Sequence, residues 1–216
     1  MKRFLLLLAA LLLAVPSHAG MILRGSGTSS PYEDFTTFTE VDPGSTVSVA
    51  ANTITGAQVD VKNSDTYVYK DYGAGYFGDF THQFSAKATM DEGTADVIWV
   101  WGLTNTVDDY GAWAAGIGFG FYGQSWSRTV VQEKGGSTDF STQLSNNTIY
   151  YFTITRSGTS LTATVYSDSG RTNTVYTHNI TVASTTYRYL YALTSQNLAS
   201  SGWLVDATIY DFDLSP

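Results

Sequence analysis

The stretch YYFTITRSGTSLTATVY, residues 150–166, decides the fold class because its side chains alternate in polarity through two short strands and the turn between them. The polar side of both strands is rich in threonine, and Gly158 lies in the tight connection. The apolar positions are Tyr150, Phe152, Ile154, Leu161, Ala163 and Val165. This pattern predicts an antiparallel hairpin with one dry face and one face lined by hydroxyl groups.

The same alternation continues on both sides of this hairpin. Runs with a period of two, separated by turn residues, replace the 3.6-residue apolar period that a helix would need. We expect strands near residues 35–40, 46–50, 67–70, 80–90, 97–103, 113–122, 128–133, 175–182, 187–193 and 205–214. About ten to thirteen short strands in a chain of this length predict an all-β sandwich or barrel built as one domain.

The N-terminus has the features of a secretory signal peptide. Lys2 and Arg3 precede an apolar run over residues 4–15, and Ala19 closes a small-residue cleavage pattern. We expect residues 1–19 to be removed, residues 20–32 to form a flexible lead-in, and residues 33–216 to form a single domain. Cleavage leaves 216 − 19 = 197 residues with a net charge of (11 − 2) − 19 = −10, and the expected location is extracellular or periplasmic.

The composition excludes several classes of protein. The chain has no cysteine, which removes disulfides, a thiol nucleophile and cysteine-ligated metal sites. Its net charge of −8 argues against binding to nucleic acid or to anionic lipid. Irregular strand lengths and threonine-rich faces do not suit an outer-membrane barrel, so we expect a protein that is not membrane-embedded.

Four segments carry a resemblance to a known family. They are YKDYGAGYFGDFTHQF at 69–84, YYFTITRSGTSLTATVYSDSGRT at 150–172, YRYLYALTS at 187–195 and YDFDL at 210–214. Together they resemble the concanavalin A-like lectin/glucanase superfamily, and within it the laminin-G-like jelly-roll domains of bacterial and phage proteins. The resemblance implies two stacked antiparallel sheets, with the first strand at 35–40 beside the last at 210–214. Members of the superfamily include sugar binders, glycosidases and structural modules, so the fold alone does not choose a function.

A glycosidase of this kind needs two carboxylates that face a groove. Glucanases that this chain resembles often carry them as Glu-x-Asp-x-x-Glu on one strand. The glutamates of the mature chain are Glu33, Glu40, Glu92 and Glu133, and none has that spacing. His82 and His178 are its only histidines, and no Gly-x-Ser-x-Gly segment accompanies them.

Two tryptophans stand in a strand that is apolar on both faces. A regular strand would place Trp99 and Trp101 on the same face as Val97 and Leu103, which indicates a central strand. Either both rings belong to the core or they form a platform on which a sugar stacks its apolar face.

A run of glycines shares one face of the expected strand at 113–122. Three glycines, at 116, 118 and 120, weaken a strand unless something approaches the backbone closely. Either large neighbours such as Trp99 and Trp101 cover this strip, or it is the floor of a groove open to a ligand. Both readings predict that the strands at 97–103 and 113–122 are paired or close neighbours.

The connection between these strands, residues 104–110, carries several oxygen donors. Asp108 and Asp109 could bind calcium, a cation that takes six to eight oxygen ligands, or could simply form a solvated acidic turn. We leave calcium open and expect no other cofactor. The candidate ligand-binding residues are Trp99, Trp101, Trp113, Trp126, Asn105 and Tyr110.

These observations favour a secreted, non-catalytic recognition module that binds glycans or another cell-surface ligand. The alternative is a structural or assembly subunit of an extracellular coat, matrix or appendage, which would expose an unprotected strand edge and self-assemble. A glycoside hydrolase is the third reading.

Overall fold

The computed structural model describes residues 31–90, 96–123, 127–198 and 203–215, and in these ranges the chain is almost entirely strand and turn. The short 3-10 turns are Phe35–Thr37 and Tyr110–Ala112. The strands are β1 (Thr39–Val41), β2 (Val47–Ala50), β3 (Thr53–Asp60), β4 (Tyr67–Asp71), β5 (Phe80–Met90), β6 (Asp96–Thr104), β7 (Gly116–Gly123), β8 (Ser127–Glu133), β9 (Thr138–Phe140), β10 (Tyr150–Ser157), β11 (Ser160–Tyr166), β12 (Thr174–Thr181), β13 (Tyr189–Thr194) and β14 (Leu204–Ser215).

The strands form two seven-stranded antiparallel sheets. Sheet A has the order β1-β4-β13-β6-β7-β8-β9, and sheet B has the order β12-β11-β10-β5-β14-β3-β2. The predicted hairpin is present as β10 and β11, with Ser157 opposite Ser160 and Ile154 opposite Ala163. The predicted all-β jelly-roll sandwich is confirmed.

The sheets are held together by a core of aromatic and branched side chains on their facing sides. Phe84 and Phe152 of sheet B lie with ring centroids 5.0 Å apart, and Phe119 of sheet A lies 5.0 Å from Phe152. All three rings are at most 1% exposed. Such tilted ring pairs add about 0.5–1.5 kcal/mol to the stabilisation from burial alone.

A buried histidine links the two sheets. The indole Nε1–H of Trp101, on β6, donates a hydrogen bond of 3.1 Å to Nδ1 of His82, on β5. Burial lowers the pKa of His82 to about 3, so the ring is neutral and accepts this bond at physiological pH.

The other histidine fixes the edge of sheet B to sheet A. Nδ1 of His178, on β12, lies 3.0 Å from Oδ2 of Asp139, and Nε2 lies 2.9 Å from Oγ1 of Thr129. The order carboxylate, imidazole and hydroxyl is that of a hydrolase catalytic triad, but the Thr129 side chain is fully buried, so a substrate would not reach its hydroxyl. The contact therefore ties β12 to β8 and β9.

The expected pairing of the first and last strands is wrong. β14 lies between β5 and β3 in sheet B, whereas β1 pairs with β4 in sheet A. Residues 35–37 form a 3-10 turn because the Asp34 carboxylate accepts a hydrogen bond from the Thr36 N–H at 3.0 Å. This segment contacts the last strand without pairing with it as a strand: the Glu33 N–H donates to the Phe212 carbonyl at 2.8 Å, and the Phe35 ring lies 5.2 Å from the Phe212 ring.

The described strands belong to one compact unit that spans Pro31–Pro216. The expected signal peptide and nearly all of the expected lead-in lie outside the described residues. In the part of the chain that the structure describes, no helix is long and apolar enough to cross a membrane.

The buried His82 predicts acid sensitivity of the fold. Its unfolded pKa is about 6.5 and its folded pKa about 3, so the unfolded chain binds the extra proton and stability is lost as the pH falls from about 6.5. We expect His82→Gln, which keeps an acceptor for Trp101, to remove this loss. Between about pH 6 and 4 the free energy of unfolding of the natural chain should fall by about 1.4 kcal/mol per pH unit more than that of the variant.

Urea unfolding of both proteins at several pH values measures this difference. Other groups titrate in both proteins, so only the difference in slope reports on His82. Parallel pH profiles would contradict the assignment of a neutral, buried His82.

Candidate functional site

Trp99 and Trp101 lie on opposite faces of sheet A, contrary to the prediction. The register between β6 and β7 shifts between these two residues, which is the mark of a β-bulge. The additional residue turns Trp101 and Leu103 into the core between the sheets, while Val97 and Trp99 face away from it. The predicted pairing of these two strands is confirmed.

The outer face of sheet A, turned away from sheet B, carries a second aromatic cluster. Its buried members are Val97, Trp99, Tyr110, Trp113, Val130 and Tyr191. The rings of Trp99 and Tyr110 stack with centroids 3.9 Å apart and an angle of 21° between their planes. Trp113 lies 4.9 Å from both Tyr110 and Tyr191.

The cluster covers the glycine strip. A Cβ atom on Gly118 would lie 2.6 Å from the Trp99 ring and 2.8 Å from the Tyr110 ring, and one on Gly102 would lie 2.5 Å from Trp113. The glycines are therefore required by the rings packed directly on the backbone. Large neighbours do cover the strip, but Trp101 is not among them, and the floor is not open to a ligand.

The loop between β6 and β7 brings two of these rings onto the sheet, and hydrogen bonds hold it there. The Tyr110 N–H donates to Oγ1 of Thr194 at 3.1 Å, and the Trp113 indole N–H donates to the Asp108 carbonyl at 2.9 Å. Lys134 donates from Nζ to the carbonyls of Tyr110 and Gly111 at 2.8 and 2.9 Å. The loop is thus a fixed cover.

The two aspartates of this loop act as turn caps. Oδ1 of Asp109 accepts the Gly111 N–H at 2.6 Å, and Oδ1 of Asp108 accepts the Asp109 N–H at 2.9 Å. Burial raises the pKa of Asp109 to about 6, and the charges of Asp108 and Asp65 add to the effect. Such a pKa would suit an acid catalyst, but Asp109 is only 3% exposed.

Calcium at this loop stays a prediction. Among the described residues, Asp108 and Asp109 are not joined by a third acidic or histidine side chain into a group that could hold a metal ion. Calcium would need further oxygen ligands from carbonyl groups or water.

Part of the aromatic surface that remains open consists of tyrosines beside the buried cluster. Tyr67 and Tyr69 of β4 and Tyr189 of β13, here called the tyrosine row, are half-buried. Tyr67 and Tyr69 pack on the fully buried Tyr191, and Tyr189 packs on Tyr69. Ring centroids are 5.9 Å apart for Tyr67 and Tyr69, and 5.8 Å apart for Tyr69 and Tyr189. The row was not predicted, although the Tyr-x-Tyr spacing at 67–69 and 189–191 places each pair on one face of a strand.

The two ends of the tyrosine row differ in charge. At the Tyr189 end, Arg188 donates to Asp71 from Nε at 2.8 Å and from a terminal guanidinium nitrogen at 2.6 Å, and its hydrogen bonds lower the pKa of Asp71 to about 2. At the other end, burial raises the pKa of Tyr67, and the nearby charges of Asp108 and Asp65 raise it further. The row runs from a neutralised ion pair to an acidic end.

The structure distributes the predicted site residues widely. Trp99, Tyr110 and Trp113 share one cluster but are 1–3% exposed, and Trp101 belongs to the core between the sheets. Asn105 is exposed at the start of the loop, directly after β6, where its side-chain amide donates to the Thr186 carbonyl at 2.9 Å. Trp126 lies outside the described residues.

A second depression lies on the outer face of sheet B. It has a volume of about 280 Å³, and Lys87, Asp206 and several threonines line it. None of the described residues that line it is aromatic, so these residues do not provide the stacking surface of the tyrosine row. The tyrosine row is the better candidate site.

Comparisons with known proteins support the fold. No protein-family model matches the sequence, and no similar sequence was found among curated proteins. The chain is similar in structure to a protein of unknown function from Saccharomyces cerevisiae (TM-score 0.56, 13% identity, 85% of this chain and 98% of that chain). It is similar to an alginate lyase from Alteromonas sp. 272 (0.52, 9%, 83% and 94%) and to 39% of the GH43 protein BlXynB from Bacillus licheniformis (0.57, 6%, 86% of this chain). At these identities the likeness concerns the fold alone.

The packing of the cluster on the glycine strip predicts a stability difference between two glycine variants. Gly118→Ala would force a Cβ into the Trp99 and Tyr110 rings and should cost about 1–3 kcal/mol. Gly78→Ala is the matched control, since its nearest atom would be a Thr186 methyl group at 4.0 Å. Thermal unfolding should show a clearly lower Tm for Gly118→Ala alone, and equal Tm values would contradict the packing described here.

Proposed function

We propose that the protein is a secreted, non-catalytic recognition module of the laminin-G-like kind, which binds neutral glycans on the tyrosine row. The observation that carries this proposal is a row of three half-buried tyrosine rings on the outer face of sheet A, with neighbouring centroids about 6 Å apart. Tyr191 supports the rings of Tyr67 and Tyr69 from below. Partly exposed rings that are held in place in this way suit a ligand with alternating apolar and hydroxyl-bearing surfaces.

The geometry of the row matches an extended ligand. Pyranose rings present an apolar C–H face that stacks on an aromatic ring, while the phenol hydroxyl bonds to the sugar hydroxyls. Because Tyr69 lies within 6 Å of both Tyr67 and Tyr189, neighbouring units of a linear chain would meet successive rings. The ring packing restricts the tyrosine side chains before a ligand arrives, which reduces the entropy cost of binding.

The charges around the row favour a neutral or amino sugar over a uronic acid. Asp108 and Asp65 act on Tyr67 at one end. At the other end, Asp71 already neutralises Arg188. Lys134 is engaged by the carbonyl groups of the covering loop. A carboxylate on the ligand would therefore meet repulsion from Asp108 and Asp65, while Arg188 and Lys134 are already engaged by other groups.

Two of the described glutamates, Glu33 and Glu133, are held away from the tyrosine row. Glu33 pairs with Lys70 at 2.6 Å, and Glu133 accepts the Ala183 N–H at 2.6 Å. Lys70 stands opposite Leu190, and Glu133 stands opposite Ile117. Leu190 and Ile117 both belong to the core face of sheet A. These two carboxylates are thus held on the side of the sheet away from the tyrosine row, where a pair acting on a bound glycan would not be.

Removal of a single ring tests the proposal. We expect Tyr69→Ala, and Tyr189→Ala to a lesser degree, to weaken glycan binding about fivefold to tenfold, which corresponds to about 1–1.4 kcal/mol per stacked ring. A glycan-array screen, followed by calorimetry with the best ligand, measures this effect. Each assay is run with calcium and with a chelator, so that a role for Asp108 and Asp109 in holding calcium appears in the same experiment.

Tyr151→Ala is the matched control because Tyr151 is a half-buried tyrosine on sheet B, alternating with the core residue Phe152. It should bind like the natural chain. An array without signal from the folded protein, or equal loss in all three variants, would contradict glycan binding at the tyrosine row.

The acidic end of the row predicts discrimination by charge. A neutral oligosaccharide should bind more tightly than an oligouronate of the same length. The double variant Asp65→Asn with Asp108→Asn should reduce this difference in affinity. Added salt should improve oligouronate binding in the natural chain, because it screens exposed charges. Tighter binding of the oligouronate to the natural chain would contradict the proposed ligand class.

A further inference from the structure

The edge strands of the two sheets differ in length. The edge strands β1 and β9 of sheet A have three residues each, and β2 of sheet B has four. The remaining edge, β12, has eight residues, Thr174–Thr181. Long open edges attract further strands, and proteins usually shorten them or place charges or proline on them.

β12 carries none of these protective residues. Its sequence, TVYTHNIT, contains no lysine, no acidic residue and no proline, and His178 is held neutral by burial, which lowers its pKa. The outward side chains of Thr177, Asn179 and Thr181 are all exposed. A register shift at the start of the strand, opposite Val165 and Tyr166, leaves the following residues in regular alternation.

The outward backbone groups of β12 can be identified from the hairpin. The two-residue turn after Ser157 makes Ser157 and Ser160 a hydrogen-bonded pair, so alternate residues of β11 face β12. The Val182 N–H donates to the Thr159 carbonyl at 2.9 Å, which fits the same alternation: even-numbered residues of this segment face β11. The backbone N–H and C=O groups at positions 177, 179 and 181 therefore point away from the sheet, and no backbone group of a described residue bonds to them.

The strand is already fixed in the conformation that pairing requires. His178 ties it to Asp139 and Thr129 of sheet A, and the side chains of His178 and Ile180 are buried. A partner would meet an ordered edge, and a second copy of the chain would bring an edge equally ordered. Such a pair loses less conformational entropy than one formed with a disordered peptide.

We propose that β12 pairs with β12 of a second copy of this chain, antiparallel about a twofold axis, to form one continuous fourteen-stranded sheet. With His178 opposite its own copy, Thr177 stands opposite Asn179 of the second copy and Thr181 opposite Val175. The two Thr177–Asn179 pairs alone supply about four backbone hydrogen bonds. The register brings only uncharged side chains together, and threonine and asparagine can bond across the strands.

A groove beside the strand favours a second copy as the occupant. It has a volume of about 680 Å³ and lies at the Val175 end, lined by Gln143, Leu144, Ser145, Asn146, Tyr150, Ser167 and Val175. Antiparallel pairing carries residues 183–186 of the second copy, which are exposed and uncharged, towards this end. Val175 is 36% exposed, an apolar surface that the second copy would cover.

Sedimentation velocity over a concentration series tests the proposal. The protein without residues 1–19 should show a monomer–dimer equilibrium. Thr177→Pro removes an outward N–H without breaking a bond to β11, and it should raise the dimer dissociation constant about tenfold or more. Thr177→Lys with Asn179→Lys should do the same by setting like charges opposite each other.

The matched control is Thr162→Lys with Thr164→Lys, since these residues lie one strand inward, opposite Asn179 and Thr177. It should leave the dimer intact. Hydrogen exchange on the natural chain gives a readout without substitution. The amides of Thr177, Asn179 and Thr181 should become protected at concentrations where the dimer forms, while those of His178 and Ile180 are protected throughout.

A monomer at every concentration would overturn the proposal, and so would a dimer in which these three amides stay unprotected. A dimer whose dissociation constant is unchanged by Thr177→Pro would place the interface elsewhere. If an edge variant fails to fold, as circular dichroism would show, the hydrogen-exchange result on the natural chain decides alone.

Discussion

The bulge between Trp99 and Trp101 is the constraint on which both aromatic clusters depend. One additional residue in β6 sends Trp101 to the core, where it bonds to His82 of the opposite sheet. The same residue leaves Trp99 on the outer face, where it stacks on Tyr110 above Gly118. Without the bulge the two indoles would share a face, and either the cross-sheet bond or the outer cluster would be lost.

The outer cluster explains why Trp99 and Trp113 are buried while the tyrosines beside them stay partly exposed. An aromatic side chain buries about 150–250 Å², worth about 4–6 kcal/mol at ~25 cal/mol per Å², so an exposed tryptophan forgoes much stabilisation. Trp99 and Trp113 obtain this burial by covering a strip of glycines. Tyr69 and Tyr189 need less burial because their hydroxyls favour water, and they remain at the rim where a ligand can reach them.

The sequence predicted those features that depend on local alternation. The hairpin at 150–166 and the strand at 80–90 follow the period of two throughout, and both were located correctly. β3 was missed because it is irregular at Ala57 and Gln58, where Gln58 adopts a φ of 55°. The predicted rings Trp99, Tyr110 and Trp113 do share one cluster, but the structure buries them, and the half-buried tyrosines beside them were not predicted. Tertiary contacts, such as that of Lys134 with Tyr110, decide whether the loop folds onto the glycines of β6 and β7. Such contacts produce no periodic pattern in the sequence.

The tyrosine row and the β12 edge occupy different parts of the sandwich, and this separation bears on how a shallow site would work. β12 is the edge of sheet B, whereas the row lies across β4 and β13 of sheet A, with β6, β7 and β8 between it and the β9 edge. Pairing through β12 would extend sheet B and leave the row of each copy uncovered. A few stacked rings bind a glycan weakly. On a rigid dimer, however, a repeating polymer bound to one tyrosine row would be held close to the second row, and this would raise its overall affinity. The proposed self-association and the proposed glycan recognition, which the sequence presents as alternatives, are therefore compatible in this fold, and a dimer would strengthen binding to a polymer.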